Sequence, residues 1–168
     1  MEQMAANCQQ PSYATDVLVC SNAELRALDA RMRQAYLAVA PNLDAVKSPY
    51  FEAQPLWLRR RSMCAFQEQH AACVKSAYAE RLSILEAVAA TRLATRQYSC
   101  NGPRGKPGLS ATKADSGSIT LWRGPFLYAV AVQTSPAPGW QQEVGVKENG
   151  KSLILSHRGL PSITCQNI

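Results

Sequence analysis

Six cysteines, Cys8, Cys20, Cys64, Cys73, Cys100 and Cys165, limit what this chain can become more than any other feature of its sequence. An even number in a chain of 168 residues points to disulfides and to an oxidising compartment. Zinc binding is the rival use of cysteine. No pair has the short gap of common zinc sites, and only His70 and His157 are available to complete one, so neither a metal nor a cofactor is expected. Cys100 and Cys165 flank nearly all of the strand-like sequence. A bond between them would close a long loop and stabilise by roughly 4 kcal/mol on the chain-entropy model. In the N-terminal part, Cys8 and Cys20 are expected to find Cys64 and Cys73, because antiparallel packing brings the start of one helix near the end of the next. Four cysteines allow three pairings, and the sequence does not choose among them.

Hydrophobic periodicity divides the chain in two. Ser21-Asn22-Ala23-Glu24 fits a capping box. Leu25, Leu28, Met32, Tyr36 and Val39 then recur at the three- and four-residue spacing of an amphipathic helix. Pro41 is expected to end that helix. A second helix is expected over roughly 50–70, with Pro55 starting a new segment or kinking it. A third runs over 73–96, with Val74, Tyr78, Leu82, Leu85, Val88 and Ala89 on its buried face. Beyond Gln97 the period shortens. Ser118–Trp122, Phe126–Val132, Glu143–Val146, Leu153–Leu155 and Ile163–Cys165 read as strands separated by Gly/Pro turns. The expected fold is α+β: a disulfide-stapled three-helix domain, residues 1–96, followed by a small antiparallel sheet or barrel, residues 97–168. The basic Gly102–Gly108 stretch reads as a flexible linker between separable domains.

Charge is uneven. The chain carries a net +6, yet its basic residues are scattered rather than clustered, which argues against a nucleic-acid binder. No apolar run is long enough to span a bilayer, and Met1–Asn7 lacks the basic and apolar regions of a secretory signal.

Catalysis is poorly supported. Asp29 is expected to pair with an arginine such as Arg61 and orient two helices. Ser156 and His157 are adjacent on an extended segment and point to opposite faces, a poor dyad geometry. His70 reads as a helix-end residue. The Gly102–Gly108 stretch lacks a phosphate-loop pattern. Arg59-Arg60-Arg61 fans around a helix, so at least one of the three must face inward. Trp122 and Tyr128 read as core. Trp140, after Pro138-Gly139, falls at a loop tip and is either an exposed contact or a packed cap.

The helical half resembles the LprI-type lysozyme inhibitor family, through Val19-Cys20-Ser21, Glu24-Leu25, Leu28-Asp29, Tyr36, Gln54, Trp57, Arg61, Cys64, Cys73 and Arg81-Leu82. The strand-rich half is more faintly similar to the membrane-bound inhibitor of c-type lysozyme. Tyr98-Ser99-Cys100 opens it, and Cys165 nearly closes it. In that family a Ser-Gly-x-x-Tyr loop and a Lys-Gly loop enter the lysozyme cleft; Pro138–Gln142 and Asn149-Gly150-Lys151 occupy the comparable places here. The resemblance implies a non-enzymatic, periplasmic or otherwise extracytoplasmic inhibitor. Its partner would be lysozyme or another peptidoglycan hydrolase, contacted through Ser135, Gly139, Trp140, Gly150, Lys151 and Arg158. Long-range repulsion would slow a +6 inhibitor approaching a cationic lysozyme. An immunity protein against a secreted wall-degrading effector is therefore an alternative, as is a structural or carbohydrate-binding module of the envelope.

Overall fold

A computed structural model describes residues 3–43, 46–90 and 94–168. Four helices come first: α1 (Ala14–Ser21), α2 (Ala23–Leu43), α3 (Gln54–Ser62) and α4 (His70–Ala89). Seven strands follow: β1 (Ala94–Asn101), β2 (Leu109–Ala114), β3 (Ile119–Arg123), β4 (Phe126–Ala131), β5 (Val144–Asn149), β6 (Ser152–His157) and β7 (Ile163–Asn167). The α+β expectation holds. Its details shift in several places, each for a local reason.

Asn22, rather than Ser21, caps α2: its side-chain oxygen accepts from the Leu25 amide at 3.1 Å, while Ser21 ends an additional short helix. Glu24 does not close a capping box but pairs with Lys75 at 2.9 Å. Pro41 does not stop α2; it sits in the last turn, where its fixed φ is already helical and the helix runs only two residues further, to Leu43. Pro55 lies in the first turn of α3, where its missing N–H is no loss. The expected second helix is therefore only α3 with a 3-10 turn, Met63–Phe66, behind it. The third ends at Ala89, short of residue 96, and Ala94–Arg96 already belong to β1.

All three disulfides form: Cys8–Cys20, Cys64–Cys73 and Cys100–Cys165. The two N-terminal bonds are local, which corrects the expectation that Cys8 and Cys20 reach across to Cys64 and Cys73. Cys8–Cys20 ties the leading segment to the end of α1, and Cys64–Cys73 closes the turn between α3 and α4. Cys100 and Cys165 face each other directly across β1 and β7.

The seven strands form one antiparallel sheet in the order β4-β3-β2-β1-β7-β6-β5. It curls until its edge strands, β4 and β5, approach one another. Gly102–Gly108 is no interdomain linker. It is the tight loop of the β1–β2 hairpin, closed by the Gly102 amide donating to Lys106 O at 2.7 Å. The inner face of the sheet gathers Tyr98, Leu109, Ile119, Leu121, Leu153, Leu155 and Ile163 into one core. A second core lies beneath the helices, with Leu25, Met32, Trp57, Val74, Tyr78 and Leu85. Strand β4 serves both, since Ala129 and Ala131 face the sheet interior while Leu127 and Val130 face the helices. A bulge opposite Leu121/Trp122 leaves Tyr128 as the extra residue and keeps both faces in phase. Burial on both faces explains why Phe126–Val132 is almost uniformly apolar.

A closed ionic cluster locks the helices. Arg61 and Asp16, both fully buried, pair directly. Arg61 also donates to the Tyr78 hydroxyl at 2.7 Å, and that hydroxyl donates to Asp29 at 2.7 Å. The anticipated Asp29–Arg61 pairing is present at 3.9 Å, though Asp16 is the closer partner. Burial pushes the Tyr78 hydroxyl far above the usual phenol range. Removing one partner of such a buried pair strands the other, at a cost of about 3–5 kcal/mol. Arg61→Met is accordingly expected to lower unfolding free energy in urea by that amount, and Asp16→Leu added to it should recover part of the loss. An Arg61→Met variant within about 1 kcal/mol of the parent would show that the cluster is not what holds these helices.

Candidate functional site

The residues expected to touch a target do not form one surface. Strand β5 begins beside the Ser135–Gln142 loop and ends at the Gly150-Lys151 turn, so the two groups lie at opposite ends of it. Arg158, just after β6, returns to the first end, where its amide donates to Glu143 O at 3.2 Å. Ser135, Gly139, Trp140 and Arg158 are thus separated from Gly150 and Lys151 by the length of a hairpin.

At the first end, the 132–143 loop is docked on the helices rather than projected into solvent. The Ala137 amide donates to Ser76 Oγ at 2.9 Å. Gly139 takes φ +95°, and a Cβ there would meet the Gln67 side chain at 2.7 Å, so only glycine allows this approach. Trp140 is not an exposed contact: it is 6% exposed, with the Arg60 guanidinium stacked 3.9 Å above its ring. Ser135 and Arg158 remain exposed.

Beneath this loop runs a seam of buried charge between helices and sheet. Arg60 grips Glu52 with bonds of 2.9 and 3.0 Å, reaches Glu80 at 3.2 Å and donates to Gln141 O at 2.6 Å. The Glu143 amide donates to Glu80 at 3.1 Å, and a Glu143 oxygen accepts the Glu52 amide. Arg81, fully buried, donates to Gln54 at 2.9 Å and to Glu52 O at 3.0 Å. Arg158 lies 3.6 Å from Glu52, and His157 lies 3.9 Å from Glu143. His157 is therefore more than the plain turn residue its sequence context suggests. Burial disfavours charge on Arg60, but the hydrogen bonds and attraction of Glu52, with Glu80 behind, outweigh it and raise its pKa. Burial pushes the Glu80 carboxyl up to about 7, against the pull of Arg60 and the Glu143 amide.

Perturbed carboxyls often mark active sites. Glu80 is an exception by geometry, since it is 1% exposed and its two oxygens are committed to Arg60 and the Glu143 amide. Among the described residues no cluster of His, Cys, Asp or Glu has the makings of a metal site. His70 sits at the first turn of α4, 2.9 Å from the Thr15 hydroxyl, and burial, assisted by Arg61, lowers its pKa.

The other end of the hairpin is different in kind. Asn149 faces Ser152 across the two-residue loop Gly150-Lys151. Gly150 adopts φ +61°, the positive value such a loop asks of its first residue. Lys147, Glu148, Asn149, Gly150 and Lys151 are all exposed. The tip is nonetheless braced, because the Asn167 amide donates to Lys151 O at 2.8 Å and Leu153 pairs with disulfide-bonded Cys165. Lys113 anchors Glu148, and Lys151 has no ion pair among the described residues.

Sequence reasoning missed the seam. Its signals were an isolated Glu52 directly after Tyr50-Phe51, and Glu80-Arg81 falling on the apolar stripe of α4 between Ala77 and Ile84. No protein-family model, no curated protein and no solved structure matches the chain.

The raised Glu80 pKa has a definite sign in stability. A carboxyl whose folded pKa lies above its ordinary value of 4.5 contributes stability that is fully present below about pH 4.5 and is lost as pH rises through about 7. Glu80→Gln removes that dependence. The difference in unfolding free energy between variant and parent is expected to move in the variant's favour between pH 4.5 and 8, by on the order of 2–3 kcal/mol. A difference that does not change across this window would contradict the assignment.

Proposed function

We propose that this protein is an extracytoplasmic inhibitor of a peptidoglycan-cleaving enzyme, acting through the tip of the β5–β6 hairpin rather than through both loops. One observation carries the reading: a tight, exposed loop with Lys151 at its tip and Lys147 on the adjoining strand is held rigid by β7 and the Cys100–Cys165 disulfide. Wall-cleaving hydrolases commonly act through paired carboxylates. A braced cationic finger offers those carboxylates a partner at little entropic cost, since its backbone is ordered before binding. Three disulfides, and the lack of any described helix long and apolar enough to cross a membrane, fit secretion into an oxidising compartment. The resemblance of the helical half to LprI-type inhibitors supports the same target class. In sequence, the Asn149-Gly150-Lys151 turn falls in a place comparable with the Lys-Gly loop of the c-type lysozyme inhibitors, though the lysine does not match position for position.

The net charge of +6 favours a target that is less cationic than the common lysozymes, because like charges slow encounter. Trp140 has no part in this mechanism; its ring is spent beneath Arg60. Arg158, at the far end of the hairpin, does not share the contact.

Inhibition assays on a panel of muramidases and acidic wall hydrolases test this directly. Lys151→Ala is expected to weaken inhibition of the true target by about 30-fold, the equivalent of a ~2 kcal/mol anchor, without changing thermal stability. Ser135→Ala should leave it unchanged. Inhibition insensitive to Lys151→Ala and Lys147→Ala together would remove the hairpin from the mechanism, and no inhibition anywhere in the panel would remove the function.

A further inference from the structure

At the base of the same hairpin, away from Lys151, a cleft of about 490 Å³ opens between the chain preceding α3 and the start of β5. Phe51 and Leu56 contribute an apolar wall. Glu143 and His157 line it below, and exposed Lys47 and Arg158 line it nearer solvent.

The polar groups of this cleft are unevenly satisfied. Glu52, which also borders it, is already held by Arg60. Glu143 is 2% exposed, and only one of its oxygens has a hydrogen-bond partner among the described residues, the Glu52 amide. The His157 side chain is 10% exposed, and its Nδ1 is buried with no partner. An unmet polar atom in such a place is costly to the folded state. Lys47 makes no ion pair among the described residues, and Arg158 has only its 3.6 Å approach to Glu52. Carboxylates thus line the deep end, with Arg60 and Arg81 behind them, cations line the outer end, and an apolar wall connects the two.

We infer that this cleft binds a zwitterionic ligand, a free amino acid or short peptide, with its ammonium group at Glu143 and its carboxylate at Lys47 and Arg158. A simple anion would be held at the mouth by Lys47 and Arg158 and opposed further in by the Glu143 and Glu52 carboxylates. A simple cation would have to pass Lys47 and Arg158. A ligand carrying both charges satisfies both ends, and the volume falls in the range of small-molecule sites. The inference is independent of the inhibitor reading, since the cleft and Lys151 occupy opposite ends of β5–β6.

The probe is the dipeptide alanyl-alanine, titrated into the full-length oxidised protein and followed by amide chemical shifts. Saturable shifts are expected at Phe51, Val144, His157 and their neighbours. N-acetylation and C-amidation of the dipeptide should each weaken binding about tenfold or more, as loss of one charge-assisted contact demands. Arg158→Ala should weaken the parent dipeptide about tenfold with its thermal midpoint unchanged, and Lys151→Ala should leave binding intact. Three results would overturn the proposal: no saturable binding at millimolar concentration, equal affinity for the N-acetylated form, or shifts confined to residues away from the cleft. Loss of inhibition by Lys151→Ala with dipeptide binding retained would separate the two sites.

Discussion

The segment Tyr50–Gln54, a turn and bend that lead into the first residue of α3, is the constraint on which the rest of this structure depends. In five residues it enters both cores and the charged seam between them. Tyr50 points into the sheet interior, stacks on Tyr128 at 5.3 Å and donates to Pro161 O at 2.7 Å. Phe51 turns the other way, into the helical core. The Glu52 amide donates to Glu143 while its carboxylate holds Arg60. Gln54 donates to Met4 O at 2.8 Å and accepts from Arg81 at 2.9 Å. The turn and bend at Tyr50 and Phe51 permit this: one short stretch fills two cores because its residues face opposite ways.

Charge burial then acts as a specificity device. Arg60, Arg81, Glu52, Glu80 and Glu143 are desolvated together, and hydrogen bonds to backbone amides and carbonyls offset that cost only when helices and sheet are in register. The arrangement leaves the β5–β6 hairpin with two unlike ends. Its base is buried in the seam and borders the cleft, whereas its tip is solvent-facing and braced by β7. A rigid base supporting a projecting tip is the geometry that preorganised binding requires.

Much of the architecture was legible in the residues. The three- and four-residue periodicity of Leu25 to Val39 marked α2, and five of the seven strands followed from short apolar runs bounded by Gly/Pro turns. Strands β1 and β2 were hidden because Gln97–Asn101 and Ser110–Lys113 are largely polar, their pairing being imposed by neighbours on both sides. The local disulfides were hidden because sequence carries no distance between cysteines. The Pro-Gly context of Trp140 leaves an exposed contact and a packed cap both open, and tertiary contact with Arg60 decides for the cap. The proposed contact residues looked contiguous only because a loop and a turn close in sequence were joined by a strand, and a strand carries its ends apart.

Calorimetry on the intact, oxidised chain tests the dependence on the Tyr50–Gln54 clasp most directly. Helices and sheet that share Tyr50, Phe51 and the charged seam should unfold in one transition, with calorimetric and van't Hoff enthalpies equal. Two resolved transitions, or a calorimetric enthalpy well above the van't Hoff value, would show that the halves melt independently and that the clasp does not unite them.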